Sequence, residues 1–138
     1  MKYVKVFLAA PLFNDAEREF NSKIAKILRE NGFEVWVAQE GPFIKQDAHK
    51  EKKMIYDGDI LALKTSDAVV ALLDGIDVDS GVAYEMGYAK ALGKPIVGLK
   101  TDYRTFSRME EVNLMLEVPL MKICRSLDEV SAYLSKIK

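Results

Sequence analysis

The sequence predicts an α/β protein, a three-layer sandwich built on a five-stranded parallel sheet of flavodoxin-like or Rossmann-like type. Three observations carry this. Short apolar runs without polar alternation recur along the chain, as strands buried on both faces require. Stretches with apolar residues at three-to-four spacing separate them, as covering helices require. With strand and helix alternating throughout, right-handed crossovers and a parallel sheet follow. At 138 residues the chain is expected to form one domain spanning 1–138, with no internal repeat or low-complexity segment.

Each element has its own signal. Tyr3 to Ala9 reads as a first strand. Asn14 with Glu17 three residues later fits a capping box, and the helix it opens carries Ala16, Phe20, Ile24, Ile27 and Leu28 along one face. Asn31-Gly32 closes that helix as a left-handed cap would. Phe33 to Val37 is a second strand, followed by the loop Gln39-Glu40-Gly41-Pro42. A polar helix is expected from about Ala48 to Thr65, with Ile55, Asp59, Ala62 and Leu63 near one face. Ala68 to Leu73 is the third strand and Gly81 to Leu92 the third helix, stopped by Gly93-Lys94-Pro95. Ile96 to Leu99 is the fourth strand. After an excursion from Asp102 to Glu117 containing a short helix, Leu120 to Cys124 is the fifth, and Ser126 caps a final helix.

Composition excludes several functions. With 20 basic and 21 acidic residues the net charge is −1, so there is no electrostatic footprint for nucleic acid. The densest basic stretch, Lys45 to Lys53, is interrupted by Asp47 and Glu51 and reads as a solvated helix face. The single cysteine, Cys124, sits in an apolar run and reads as an inert buried thiol, and the single histidine, His49, lies among lysines. Triad chemistry and a zinc site have little to build on, and no metal is expected. The first strand ends in Ala9-Ala10-Pro11-Leu12, and no G-x-G-x-x-G or Walker A pattern occurs. Nicotinamide, flavin and ATP lose their support, and no cofactor is expected. Small residues such as Ala9 at that turn would instead let a compact substrate approach the backbone. With no long apolar segment and no cleavage signal at the start, no membrane association is expected, and the cytoplasm is the default location.

The chemistry concentrates after the third strand. That strand ends in Asp74-Gly75, and Asp79 and Glu85 follow, six positions apart, at the start of the third helix. Ligands of open parallel sheets sit outside the carboxyl ends of the strands. On this helix Val82, Met86 and Ala89 form the stripe toward the sheet, while Gly81, Ala83 and Gly87 leave little bulk beside Glu85. Asp79 can equally serve as N-cap of the helix. Asp59, in Tyr56-Asp57-Gly58-Asp59, adds a third carboxylate from the preceding helix.

Taken together, these positions resemble the nucleoside 2-deoxyribosyltransferase family. The resemblance covers most of the chain: the small-residue turn, Asp59 followed by Lys64-Thr65-Ser66-Asp67, the Asp79 to Ala89 block, Gly93-Lys94-Pro95, and Asn113-Leu114-Met115. It implies that Glu85 is the nucleophile attacking C1′ of a 2-deoxyribose, that Asp59 protonates the departing base, and that Asp79 holds the sugar 5′-hydroxyl. Retention through a glutamyl-deoxyribosyl intermediate would follow. The implied substrates are 2′-deoxyribonucleosides and free nucleobases. Asn113 and Met115 match positions that complete a neighbouring subunit's pocket, implying a homo-oligomer, at least a dimer. Two departures stand out. Phe7 occupies a position where some members carry an orienting tyrosine, which leaves either Tyr56, Tyr84 or Tyr88 to substitute or Glu85 less restrained. The loop after the second strand matches loosely, with Gln39 the candidate for reading a nucleobase edge.

Two alternatives remain open. A 2′-deoxynucleoside 5′-monophosphate N-glycosidase shares the scaffold but binds phosphate with a small hydroxyl residue where this chain has Asp79, and a carboxylate repels a phosphate dianion. A non-catalytic nucleotide-sensing module of the same topology is the other. A receiver domain would need an acidic cluster after the first strand, where this chain has Phe7-Leu8-Ala9-Ala10.

Overall fold

A computed structural model of the chain describes residues 4–41 and 48–137, with 48–50 as backbone alone. The expected helix face at Lys45 to Lys53 and the side chain of His49 therefore fall wholly or partly outside the described residues, as does Pro42. The strands are β1 (Lys5–Ala9), β2 (Glu34–Val37), β3 (Ala68–Leu72), β4 (Ile96–Leu99) and β5 (Lys122–Cys124). The helices are α1 (Asp15–Glu30), α2 (Ala48–Thr65), α3 (Ser80–Ala91), α4 (Leu114–Glu117) and α5 (Leu127–Leu134). All strand pairs are parallel, in the order β2-β1-β3-β4-β5. This is the flavodoxin-like order, so the expected fold class stands.

Side-chain alternation divides the core in two. Val6 and Leu8 of β1 pack with Ile24, Ala25 and Leu28 of α1 and with Val130 and Leu134 of α5. Phe7 and Ala9 pack on the other face with Ala62 and Leu63 of α2 and Val82, Met86 and Ala89 of α3. Every residue of β3 and β4 is buried, which is why these strands read as continuous apolar runs. Local signals act as anticipated. Asn14 Oδ1 accepts from the Glu17 amide at 2.8 Å, as in a capping box, while Glu17 reaches back to accept from the amide of Phe13, one residue before the N-cap, at 2.9 Å. Gly32 takes φ +92° after α1, a left-handed conformation that glycine adopts without steric cost.

The chain runs from β1 outward to β2 and then returns across to β3, so the topological switch lies between β1 and β3. Their carboxyl ends diverge there, and a crevice opens. Cys124 is fully buried and burial pushes its thiol up, in keeping with an unreactive core residue. Among the described residues no helix is long and apolar enough to cross a membrane.

Gly98 of β4 marks the tightest packing on the α3 face: a Cβ there would lie 2.7 Å from Leu73 Cδ1 and 3.1 Å from Leu120 Cδ1. Gly98→Val is expected to destabilise the fold by about 1–3 kcal/mol through overpacking, read as a lower midpoint in urea unfolding.

Candidate functional site

The crevice at the switch point is a cavity of about 630 Å³. Leu8, Ala10, Leu12, Phe13 and Ala38 line it. Ile55 and Ile60 of α2 add apolar surface. Into this largely apolar space three carboxylate side chains converge, Asp59 from α2 and Asp79 and Glu85 from α3. The structure thus brings together the three acids singled out in the sequence, from segments up to 26 residues apart (85 − 59).

Each acid is placed by local structure. Asp79 is the N-cap of α3, its Oδ2 accepting from the amides of Gly81 at 3.0 Å and Val82 at 3.1 Å. Capping and cavity lining therefore coincide in one side chain. The loop that delivers it is clamped. Asp74 accepts from the amide and hydroxyl of Thr101 and from the Asp102 amide. Asp102 in turn accepts from the Gly75 amide at 2.8 Å and from Lys100 Nζ at 2.6 Å. Lys100 is only 1% exposed. Burial pushes the Asp102 carboxyl up, but bonds from Lys100, Gly75 and Arg104 outweigh it and leave the group at about 2, so the clamp stays charged across the working range.

Glu85 sits on the next turn, between the buried Met86 and Val82 on the sheet side and the cavity. Its carboxyl is pushed up to about 8, chiefly because the surrounding apolar atoms desolvate the charged form, with repulsion from Asp59 and then Asp79 adding to it. Burial raises Asp59 to about 6. No hydrogen-bond donor among the described residues contacts the Glu85 carboxyl to offset this. Two close acids with such values titrate as a pair. Near neutral pH the pair holds one proton, mainly on Glu85.

Other residues complete the lining. Arg18 brings the only cation among the described lining residues; Leu12 O accepts from its guanidinium at 3.0 Å and Asp15 at 2.7 Å. Sequence reasoning missed it, although a cation near the start of a helix, where the macrodipole disfavours it, was a legible signal. Tyr56 and Tyr84 line the cavity too, their hydroxyls 2.7 Å apart.

Phe7, Ala9 and Gln39, expected to contact a ligand, are not among the residues that line this cavity. Phe7 and Ala9 are fully buried beneath α2 and α3, and Phe7 stacks on Trp36 with centroids 4.9 Å apart. It is Leu8 and Ala10, facing the other way, that reach the cavity. The Gln39 amide is spent inside the wall: Nε2 donates to Arg18 O at 2.8 Å and Ser22 Oγ at 3.0 Å, and Oε1 accepts from Asn21 Nδ2 at 3.0 Å. Asn21 also donates to Pro11 O at 2.8 Å, so this amide pair braces the β1–α1 turn rather than presenting an edge. Asn113 caps α4, its Oδ1 accepting from the Met115 amide at 3.0 Å, and Met115 is 72% exposed. Neither lines this chain's own cavity.

Comparison with known proteins gives a consistent picture. The sequence profile described as nucleoside 2-deoxyribosyltransferase matches residues 6–121. A nucleoside deoxyribosyltransferase of Limosilactobacillus fermentum is 32% identical over 124 residues, covering 81% of this chain and 73% of the relative. A solved 2-deoxyribosyltransferase of Bacillus psychrosaccharolyticus superposes with a TM-score of 0.80 at 26% identity, covering 94% of this chain and 92% of that one. A CMP N-glycosidase of Clostridium botulinum, at 22% identity and a TM-score of 0.54 over 95% of this chain and 98% of that one, shares the fold.

The raised Glu85 carboxyl makes the cavity a source of instability at high pH. The folded state holds this proton more tightly than the unfolded chain, so the stability it contributes is present below the ordinary glutamate value and is lost as pH rises through about 8. Glu85→Gln removes that loss. Relative to the natural protein, the variant should gain at least about 1 kcal/mol of stability between about pH 5 and about pH 9, measured by thermal unfolding at both.

Proposed function

This chain belongs to the nucleoside 2-deoxyribosyltransferase family, and on that premise we propose that it transfers a 2-deoxyribosyl group between nucleobases through a covalent intermediate on Glu85. The observation that carries this reading is the convergence of Glu85, Asp59 and Asp79 on one cavity at the switch point. Two acids sharing one proton supply what the reaction needs, one carboxylate to attack and one proton to give.

In the first half-reaction a Glu85 oxygen bonds to C1′ as the C1′–N bond breaks. The electron pair of that bond goes to the base nitrogen, which takes its proton from Asp59. The resting proton on Glu85 must therefore move to Asp59 when substrate binds. Positive charge developing at C1′ beside Glu85 favours that shift, because an adjacent cation stabilises the ionised carboxyl. Asp79, fixed by its capping bonds, accepts from the sugar 5′-hydroxyl. In the second half-reaction an acceptor base attacks C1′, the ester bond to Glu85 breaks, and the acceptor's N–H proton returns to Asp59. Two inversions give net retention. Apolar walls limit the competing attack by water.

The free site is competent with one proton on the pair. Below about 6 both acids are protonated and no nucleophile remains; above about 8 neither is and no acid remains. A bell-shaped kcat/KM with limbs near these values is expected. Deoxyinosine incubated with adenine should yield deoxyadenosine by chromatography. Adenine released from deoxyadenosine 5′-monophosphate, without exchange between nucleosides, would instead identify a nucleotide N-glycosidase.

Asn113 and exposed Met115 support the further reading that these residues complete the site of a second copy in a homo-oligomer. Glu85→Gln and Asn113→Ala chains should each be inactive alone and regain activity when co-expressed. Activity from Asn113→Ala alone would contradict a shared site.

A further inference from the structure

The helices that carry Asp59 and Glu85 are joined at the cavity by one polar contact. Tyr56, three residues before Asp59 on α2, and Tyr84, immediately before Glu85 on α3, place their hydroxyl oxygens 2.7 Å apart. Their rings are tilted at 57° with centroids 6.1 Å apart, and Tyr84 stacks on Tyr88 at 6.3 Å. Both phenols line the same cavity as the two acids and are the only hydroxyl-bearing side chains among its described lining residues. Each is about half exposed, 50% for Tyr56 and 53% for Tyr84.

Exposed phenols ordinarily satisfy themselves with water, and a bond between two of them contributes little to stability. Its value here is geometric. The two protons of the pair serve one bond and leave one donor over. A ligand filling the cavity displaces water from the pair, which strengthens the bond. We propose that Tyr56 and Tyr84 are positioning residues, a strut between α2 and α3 that sets the separation of Asp59 and Glu85. The inference rests on the functional reading only for what the two carboxylates do.

The spacing can be read without turnover. The titratable and charged groups that line the cavity with Glu85 are Asp59 and Tyr56 from α2, Asp79 at the N-cap of α3, Tyr84 from α3 and Arg18 from α1, of which Asp59 and Asp79 act on its carboxyl; Asp57, beside Tyr56, is paired with Lys53 at 2.6 Å. Carbon-13 NMR titration of the Glu85 carboxyl, assigned by its loss in Glu85→Gln, should give a midpoint near 8 in the natural protein. Breaking the strut lets the helices part, admits water and weakens the repulsion from Asp59. The midpoint should then fall toward the ordinary glutamate value by the same margin in Tyr56→Phe and Tyr84→Phe, and no further in the double variant. A phenylalanine at 56 acts from the other helix, so a merely local effect of residue 84 would leave it silent. Unchanged midpoints, a response in Tyr84→Phe alone, or shifts that add in the double variant would overturn the strut. In turnover, each single variant should lower kcat on the order of tenfold with KM nearly unchanged. A natural protein that turns over no nucleoside would sink the functional reading and leave the titration to judge the strut.

Discussion

Two carboxyl groups on different helices face one apolar cavity, and the cost of ionising both together is the constraint on which the rest of the site depends. Desolvation is the largest cause for Glu85 and raises Asp59 as well. It arises from what surrounds them: Leu8, Leu12, Ile55 and Ile60 on the cavity side and the buried stripe Val82, Met86, Ala89 beneath α3. In water such acids would ionise independently. Here they hold a shared proton near neutral pH, and the protein spends folding stability to keep it. Functional sites are often held at such expense to stability.

Holding these groups close demands rigid supports, and the fold supplies them at the carboxyl edge of the sheet. The Asp74–Thr101 and Lys100–Asp102–Gly75 bonds tie the loop after β3 to the loop after β4. Gly75 permits the turn at φ +115°, where a side chain would be strained. The turn after β1 is braced by the Asn21–Gln39 amide pair. Its Nδ2 group is satisfied, while the Asn21 Oδ1 is buried without a partner among the described residues. A parallel sheet thus puts both flanking loops of the crevice on fixed anchors, and α2 and α3 bring the acids in from the side.

Much of this was legible in the sequence because it is encoded locally. Apolar runs announce β3 and β4 because both faces of each are covered. Asn14 with Glu17 and Asp79 before Gly81 announce helix starts because capping is a contact within four residues. Asp79 and Glu85 were legible from their place after a strand end, while Asp59 joined them through the family resemblance. What escaped is tertiary. Alternation along β1 is plain in the sequence, but which parity reaches the cavity depends on where the strand stops: Phe7 and Ala9 support α2 and α3, while Leu8 and Ala10 face the ligand space. Gln39 has the right chemistry to read a base, yet its partners lie on α1, 17 to 21 residues back. The Tyr56–Tyr84 bond joins residues 28 apart, and no periodicity marks it.

The central claim is that Glu85 forms a covalent bond to the sugar, and peptide mass spectrometry tests it most directly. The protein would be mixed with deoxyinosine without acceptor, quenched in acid and digested. The account predicts a mass increase of one deoxyribosyl group on the peptide that carries Glu85, lost when adenine is added before the quench. Base exchange proceeding with no such adduct, or with the adduct on another residue, would contradict it.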